Sequence, residues 1–432
     1  MTIVAQGCEV KMASEPRLMA VRLSVQIFAA FAVMGAWVPN FSLHLENLGF
    51  SAEETAWASS TNALGAMIAP LIWGQIADRW LATERCISLC ALATGVLLWW
   101  LASLTAPIAV ILLSLLLWFF LIPVLSLTGA YIFRQLEHPD REYGKIRLWG
   151  TVGWMAVSWC LTAWFGAGAW YFGKAAAPPD FADSLRLGAL ASILVAIYAL
   201  TLPHAPPSKV GLQGAAQSLF VRLIDAPLSA LGLLRGRAFL VYCACMFGLY
   251  ITMPFTIQLN PLLLKKLGID STLVPACLTM AQTTEVVMLA LLPTMLLRLG
   301  AKTTMVVGGV ACALGFIVLG VTDAIPLVMA ALATQGVFIC CFVISGQVFV
   351  NRQAPNDIRA SAQGLLIFVN GSGLFLGHMI VGWLRDWTGD QYEVAYRVAA
   401  VVATCLVVAF VLGFTAPESS MEEILVPDTN LP

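Results

Sequence analysis

Twelve long apolar stretches dominate this sequence, at roughly 20–42, 54–77, 86–103, 106–132, 147–165, 185–202, 238–260, 272–297, 303–321, 325–350, 359–384 and 393–414. Each is close to the ~20 residues that an α-helix needs to cross the hydrocarbon core of a bilayer. Strands of a membrane barrel need only about 9–11 residues of alternating polarity, and these runs are too long for that. Nor could a water-soluble core absorb them. Of 432 residues 60% are hydrophobic, only 11% are charged and the mean hydropathy is +0.86, whereas a soluble domain carries about 25% charged residues. The expected class is an all-α membrane protein with twelve transmembrane helices.

The placement of the 23 Lys and Arg sets the expected orientation. With the N-terminus inside, only Lys174, Arg186, Lys265, Lys266, Arg385 and Arg397 fall on the outer side. The positive-inside rule then puts both termini in the cytoplasm, in a cell (inner) membrane. The opening MTIVAQGCEVKMASEPRLM lacks the apolar core of a cleaved signal peptide, so the first helix is expected to stay as an anchor. Met12 is an alternative start.

Cysteine usage argues against metal and disulfide roles. Most of the 11 cysteines sit in apolar runs, where a thiol behaves as a small hydrophobe. Neither Cys243/Cys245 nor Cys340/Cys341 has zinc spacing. No cofactor is expected, and no nucleophile–base pair or metal cluster suggests an enzyme.

One long polar break, PHAPPSKVGLQGAAQSLFVRLIDAPLSALGLLRGR at 203–237, divides the chain. It separates an expected N-terminal half at 20–202 from a C-terminal half at 238–414, with cytoplasmic tails at 1–19 and 415–432. Two six-helix halves with a solute site between them are the plan of the major facilitator transporters. The loop after the second run reads GQIADRW, Gly74 to Trp80, and resembles the G-x-x-x-D-R signature of that superfamily. Gly74 would allow close helix approach, and Asp78 and Arg79 could pair at a helix end as a conformational latch holding the outward-facing state. An ordinary capped turn would read the same way.

Several separated stretches narrow the resemblance. IRLWGTVGW at 146–154, LTLPH at 200–204, AQTTE at 281–285, ISGQVFV at 344–350 and IRASAQG at 358–364 resemble the nucleoside:proton symporters of the major facilitator superfamily. The resemblance implies proton-coupled import of nucleosides by alternating access, with a small-molecule solute and protons as partners, no nucleic acid, and a monomer in the lipid bilayer.

Arg147 follows the charged stretch HPDREYGK and opens an apolar run. On a helix Arg147, Thr151 and Trp154 share a face. They could hydrogen-bond and stack on a ribose or base; alternatively Arg147 snorkels to the interface and Trp154 sits in the aromatic belt. The resemblance favours the first, because the matching positions in those symporters line the solute cavity. In ACLTMAQTTEVVMLALLP, Gln282 and Glu285 also share a face, and Glu285 is isolated in an apolar run. A buried carboxylate costs a few kcal/mol if charged and unpaired, so it must be neutral, paired or wet. A structural Glu would also need a partner; the resemblance makes Gln282 and Glu285 solute contacts. Arg147 and Glu285 are expected to approach one another, with Glu285 carrying the coupling proton.

Other polar positions within the runs are Thr252, Gln258, Asn260, Gln335, Gln347, Asn370 and His378. Buried amides often bridge helices instead of binding solute. His378 follows Gly373 and Gly377 in a GxxxG packing face and is expected beside a tight helix contact. Some positions depart from the family. Its solute-contacting glutamine and asparagine fall on Thr252 and Phe255, its tyrosine and phenylalanine on Gln335 and Ile339, and an acidic position on Cys340. Thr252 and Gln335 therefore stay as substrate-binding candidates with altered chemistry. A carrier of another small polar solute, a sugar or exported metabolite, is the alternative; a non-transporting sensor or receptor is a further one, although it would want a soluble output domain.

Overall fold

The computed structural model describes residues 16–136, 139–172, 179–207, 231–353 and 359–415. The linker expected at 203–237 and the tails at 1–19 and 415–432 lie largely outside these residues. The elements are α1 (Pro16–Trp37), α2 (Phe41–Asn47), α3 (Ala52–Arg79), α4 (Thr83–Leu101), α5 (Pro107–Gln135), α6 (Pro139–Phe172), α7 (Ala182–Ala199), α8 (Arg237–Lys266), α9 (Val274–Leu278), α10 (Met280–Val321), α11 (Ile325–Phe338), α12 (Ser345–Gln353), α13 (Arg359–Thr388) and α14 (Tyr392–Gly413). Every apolar run read from the sequence is helical.

The eighth and ninth runs appear as one assignment, α10, broken at Gly300, whose φ of 77° turns the chain between them. The tenth run carries a π-helical segment, Ile339–Ile344, between α11 and α12. Such segments often sit at functional sites. α3 starts on a capping box in which Ser51 accepts from the Glu54 amide and the Glu54 carboxylate accepts from the Ser51 amide. By length and composition alone, nine helical stretches among the described residues are apolar enough to cross a membrane, with α10 counted once. The two crossing helices below that threshold are α3 and α6, the helices that carry the polar residues discussed below.

Buried apolar side chains form two large clusters. One runs from Leu23 to Ala205 within α1–α7 and the segment after them; the other is centred on α8–α14. These are two separate apolar cores, one in each helical half. The outer surface keeps large apolar side chains exposed, among them Ile108, Leu112, Leu194 and Leu412, as lipid-facing helices should. Exposed Trp99, Trp100, Trp383 and Trp387 lie in the last two turns of α4 and α13, where an aromatic belt meets the headgroups.

We call the face on which α1 begins proximal and the other distal. On the proximal face the segment after α7 is pinned to its own half. Tyr131 and Arg134 donate to the carbonyls of Pro203 and Pro206, both at 2.7 Å, and the Ala205 amide donates to Glu84 at 3.1 Å.

Distally the halves touch. Lys265 meets Glu46 at 2.5 Å, Trp159 Nε1 donates to Thr279 at 3.2 Å, and the Ala276 amide donates to Thr162 at 3.1 Å. Leu43, Leu161, Phe165 and Phe181 of the first half join the apolar cluster of the second.

Candidate functional site

α6 carries the first group of candidate side chains, and its position is set by α1. A Cβ at Gly153 would collide with the Phe28 carbonyl, and one at Gly35 would lie 2.7 Å from the Trp154 Cα. Small residues thus let the two backbones meet. Sequence reading picked out Arg147, Thr151 and Trp154 but not Gly150 and Gly153, which lie in the same stretch and hold that face in place. Their spacing between apolar residues was the available signal.

With α6 fixed, Thr151 turns toward the other half. It is 3% exposed, and its hydroxyl donates to Glu285 Oε1 at 3.3 Å. Glu285 is itself 7% exposed. α10 reaches it because α11 offers no side chain at Gly336, where a Cβ would overlap the Ala281 carbonyl and approach the Glu285 amide. A carboxylate in this setting is costly unless protonated or well satisfied, and among the described residues one side-chain hydroxyl, that of Thr151, donates to it.

Arg147 does not form an ion pair with Glu285. Its guanidinium lies over the Phe31 ring, 4.3 Å from the centroid, and its Nη1 is buried without a hydrogen-bond partner among the described residues. The reason is position along the helix: Arg147 lies one turn proximal of Thr151, and the threonine occupies the place facing the carboxylate. The expected approach of Arg147 to Glu285 is thus not made in this state: Thr151 takes that place and Arg147 packs on Phe31.

A cavity of about 240 Å³ lies between the halves on the distal side of this contact. Trp154, Gln282 and Gln335 line it; Arg147, Thr151, Glu285 and Thr252 do not. Gln335 donates to the Met253 sulfur at 2.9 Å, and Gln282 Oε1 is buried without a partner among the described residues. Thr252 departs from expectation. It is 1% exposed and donates to the Leu249 carbonyl of its own turn, so α8 instead presents Met253, Thr256, Ile257 and Asn260 to the cavity. Asn62 of α3 was missed. It lines the cavity from the first half, with its Oδ1 buried and unpartnered among the described residues; an asparagine within an otherwise apolar run was the signal that could have found it.

The proposed latch residues stand apart. Among the described residues nothing lies within 4 Å of a Cβ built on Gly74, so none of the described helices approaches it closely here. Asp78 is exposed, and it does not pair with Arg79, whose Nη2 is buried without a partner among the described residues. The physical reason is helical geometry: side chains one residue apart on α3 point in different directions and do not face each other. Among the described residues no group of three or more His, Cys, Asp or Glu could hold a metal ion.

Comparison with known proteins agrees with this architecture. The family model described as nucleoside H+ symporter matches residues 18–419. The xanthosine permease of Escherichia coli (strain K12) is 30% identical over 428 residues, covering 91% of this chain and 96% of that protein. The putative nucleoside transporter YegT of the same organism is 25% identical over 434 residues, covering 95% and 97%. In fold, a crystal structure of the nucleoside transporter NupG superposes with a TM-score of 0.76 at 23% identity, covering 92% of this chain and all of that one. A D-xylose–proton symporter superposes at 0.64 with 14% identity.

Proposed function

The chain belongs to the nucleoside H+ symporter family, a multi-pass membrane transporter and not an enzyme, and from that premise we propose that it imports nucleosides through the cavity between its halves. Both termini face the cytoplasm of a cell inner membrane, so the distal face is extracytoplasmic and the structure stands at the inward-facing end of an alternating-access cycle. The halves that rock are 20–202 and 238–414, joined by the 203–237 linker.

The observation that carries this reading is the Thr151–Glu285 hydrogen bond, which crosses between the halves beneath a largely apolar cavity with amide side chains set in its wall. Gln282, Gln335 and Asn62 offer hydrogen-bond partners to ribose hydroxyls and base edges, and Trp154 offers an aromatic face to stack on. Arg147, one turn below, positions charge beside the site when solute draws the halves together.

Glu285 is the coupling carboxylate. When it holds a proton, its burial beside Thr151 costs little; when it loses that proton, the negative charge needs Arg147 or water. Proton release and solute release are thus linked through one turn of α6. Gly74, Asp78 and Arg79 act in the opposite, proximally closed state, where the latch can form.

The test is uptake of labelled uridine, adenosine and xanthosine by proteoliposomes under an inward proton gradient, with Arg147→Ala alongside. Saturable uptake that collapses without the gradient and falls at least tenfold in the variant is expected. A second reading is favoured by Gln335, Ile339 and Cys340, where the resemblance led one to expect other side chains: the solute is another polyhydroxylated molecule. Folded protein that moves none of the three nucleosides but does move a sugar would establish it.

A further inference from the structure

Beside the main cavity, nearer the distal face, lies a second and much smaller space of about 20 Å³. Trp37 and Ser42 border it from the first half, Gln258 and His378 from the second. None of these four side chains is more than 4% exposed. Four of their polar atoms have no hydrogen-bond partner among the described residues: Trp37 Nε1, Ser42 Oγ, Gln258 Oε1 and His378 Nε2.

The remaining atoms of the Gln258–His378 pair are spoken for, since Gln258 Nε2 lies 2.5 Å from His378 Nδ1. An amide N–H donating to Nδ1 leaves the imidazole proton on Nε2, so the pair offers one acceptor, Gln258 Oε1, and one donor, His378 Nε2–H. Turning the amide over exchanges the roles and still leaves one of each. Trp37 adds a donor, and Ser42 can accept. Two donors and two acceptors from these four residues thus border the space; Ser59 and Asn62 of the first half add a hydroxyl and an amide, and Val38, Phe41, Trp118 and Ile257 complete the lining.

That set of groups selects its occupant. A cation is excluded by the indole N–H, which can only donate and would point its positive end at the ion. A solute molecule is excluded by size. Water accepts two hydrogen bonds and donates two, and a space of at least about 10–15 Å³ with two to four polar partners is what a buried water requires. We propose that this pocket is a binding site for one water molecule that bridges the two halves at the distal face. The proposal is independent of which solute is carried.

Its consequence follows from ownership. Trp37 and Ser42 move with one half, Gln258 and His378 with the other, so the four-coordinate site exists only while the distal face is closed. The water is bound in this state and lost to solvent in the other, and its hydrogen bonds hold the face shut.

Two measurements test this together. A structure of the wild-type protein in the distally closed state, at a resolution that shows ordered water, is expected to carry one peak within hydrogen-bond distance of Trp37 Nε1, Ser42 Oγ and the Gln258–His378 pair. In parallel, Trp37→Phe and His378→Asn, singly and combined, are followed by thermal unfolding of the purified protein, with Ser42→Ala replacing either variant that fails to fold. Each single substitution is expected to lower Tm, and the double variant to lose clearly less than the combined single losses, because both act on one shared molecule. Absence of the peak, or strictly additive losses, overturns the proposal.

Discussion

The two ends of the α3–α13 contact differ sharply, although both are built from small residues. Near the distal face a Cβ at Gly382 would lie 2.6 Å from that of Ala56, and further in one at Gly371 would lie 2.5 Å from Met67 Cγ. Trp57 and Phe375 meet there as well, 6.1 Å between centroids. Continued along these antiparallel helices, the same register would bring Gly74 opposite Gly364. Yet among the described residues nothing lies within 4 Å of a Cβ at either. A glycine in contact across the seam reports a closed interface; a glycine pair in register but out of contact marks one that closes in another state. The difference teaches that the seam is built to zip from either end, and that the distal end is zipped here.

Substitutions at those glycines should break the comparison most strongly. Gly382→Leu overfills the closed end, at a cost of about 2 kcal/mol, which shifts the balance toward distal opening roughly thirtyfold. Spin labels on exposed Asn47 and Gln391, with Cys160 and Cys405 replaced by serine, should report a longer separation. Gly74→Leu should act in the reverse sense. It leaves the present state untouched but hinders proximal closure by about 1–2 kcal/mol, so the short label distance should persist under conditions that lengthen it in the wild type, and uptake should fall about tenfold.

Smaller changes sharpen the same contrast. Trp159→Phe removes one hydrogen bond between the halves, worth about 1 kcal/mol, and should populate the distally open state about fivefold more in the same distance measurement. Lys265→Gln removes an ion pair whose side chains are 40% and 36% exposed. Solvent screening limits it to about 0.5 kcal/mol, or roughly twofold, and high salt should erase the difference between wild type and variant. An effect of Lys265→Gln larger than that of Gly382→Leu would mean that charge, and not packing, holds the distal face.

The helices were legible because a bilayer imposes one length and one polarity on each crossing, so hydropathy alone located runs such as 238–260 and 393–414. Gly300 shows the limit of that reading: two expected runs merge into one assignment, with the turn held in a single positive-φ residue. Of the site, the need of Glu285 for a partner was legible because a lone carboxylate in an apolar run must find one. That Thr151 supplies the hydrogen bond, with Arg147 drawn onto Phe31, depends on the approach of α1 to α6 and is a tertiary fact. Thr252 misled for a related reason. Helical spacing does not say which side of α8 faces the other half, and a threonine can satisfy itself on its own backbone. His378 was read correctly as lying at a tight contact, since Gly377 packs on the Ile251 backbone. The residues that border it from the other half are remote in sequence and could not be read.

The central claim is that Glu285, beneath the cavity and bonded to Thr151, couples proton movement to solute movement. Its most direct test is Glu285→Gln in proteoliposomes, comparing accumulation of labelled nucleoside under an inward proton gradient with exchange of that nucleoside at equal concentration and equal pH on both sides. The account predicts that exchange persists while gradient-driven accumulation is lost. A variant that accumulates nucleoside as the wild type does, with the same dependence on the gradient, would contradict it.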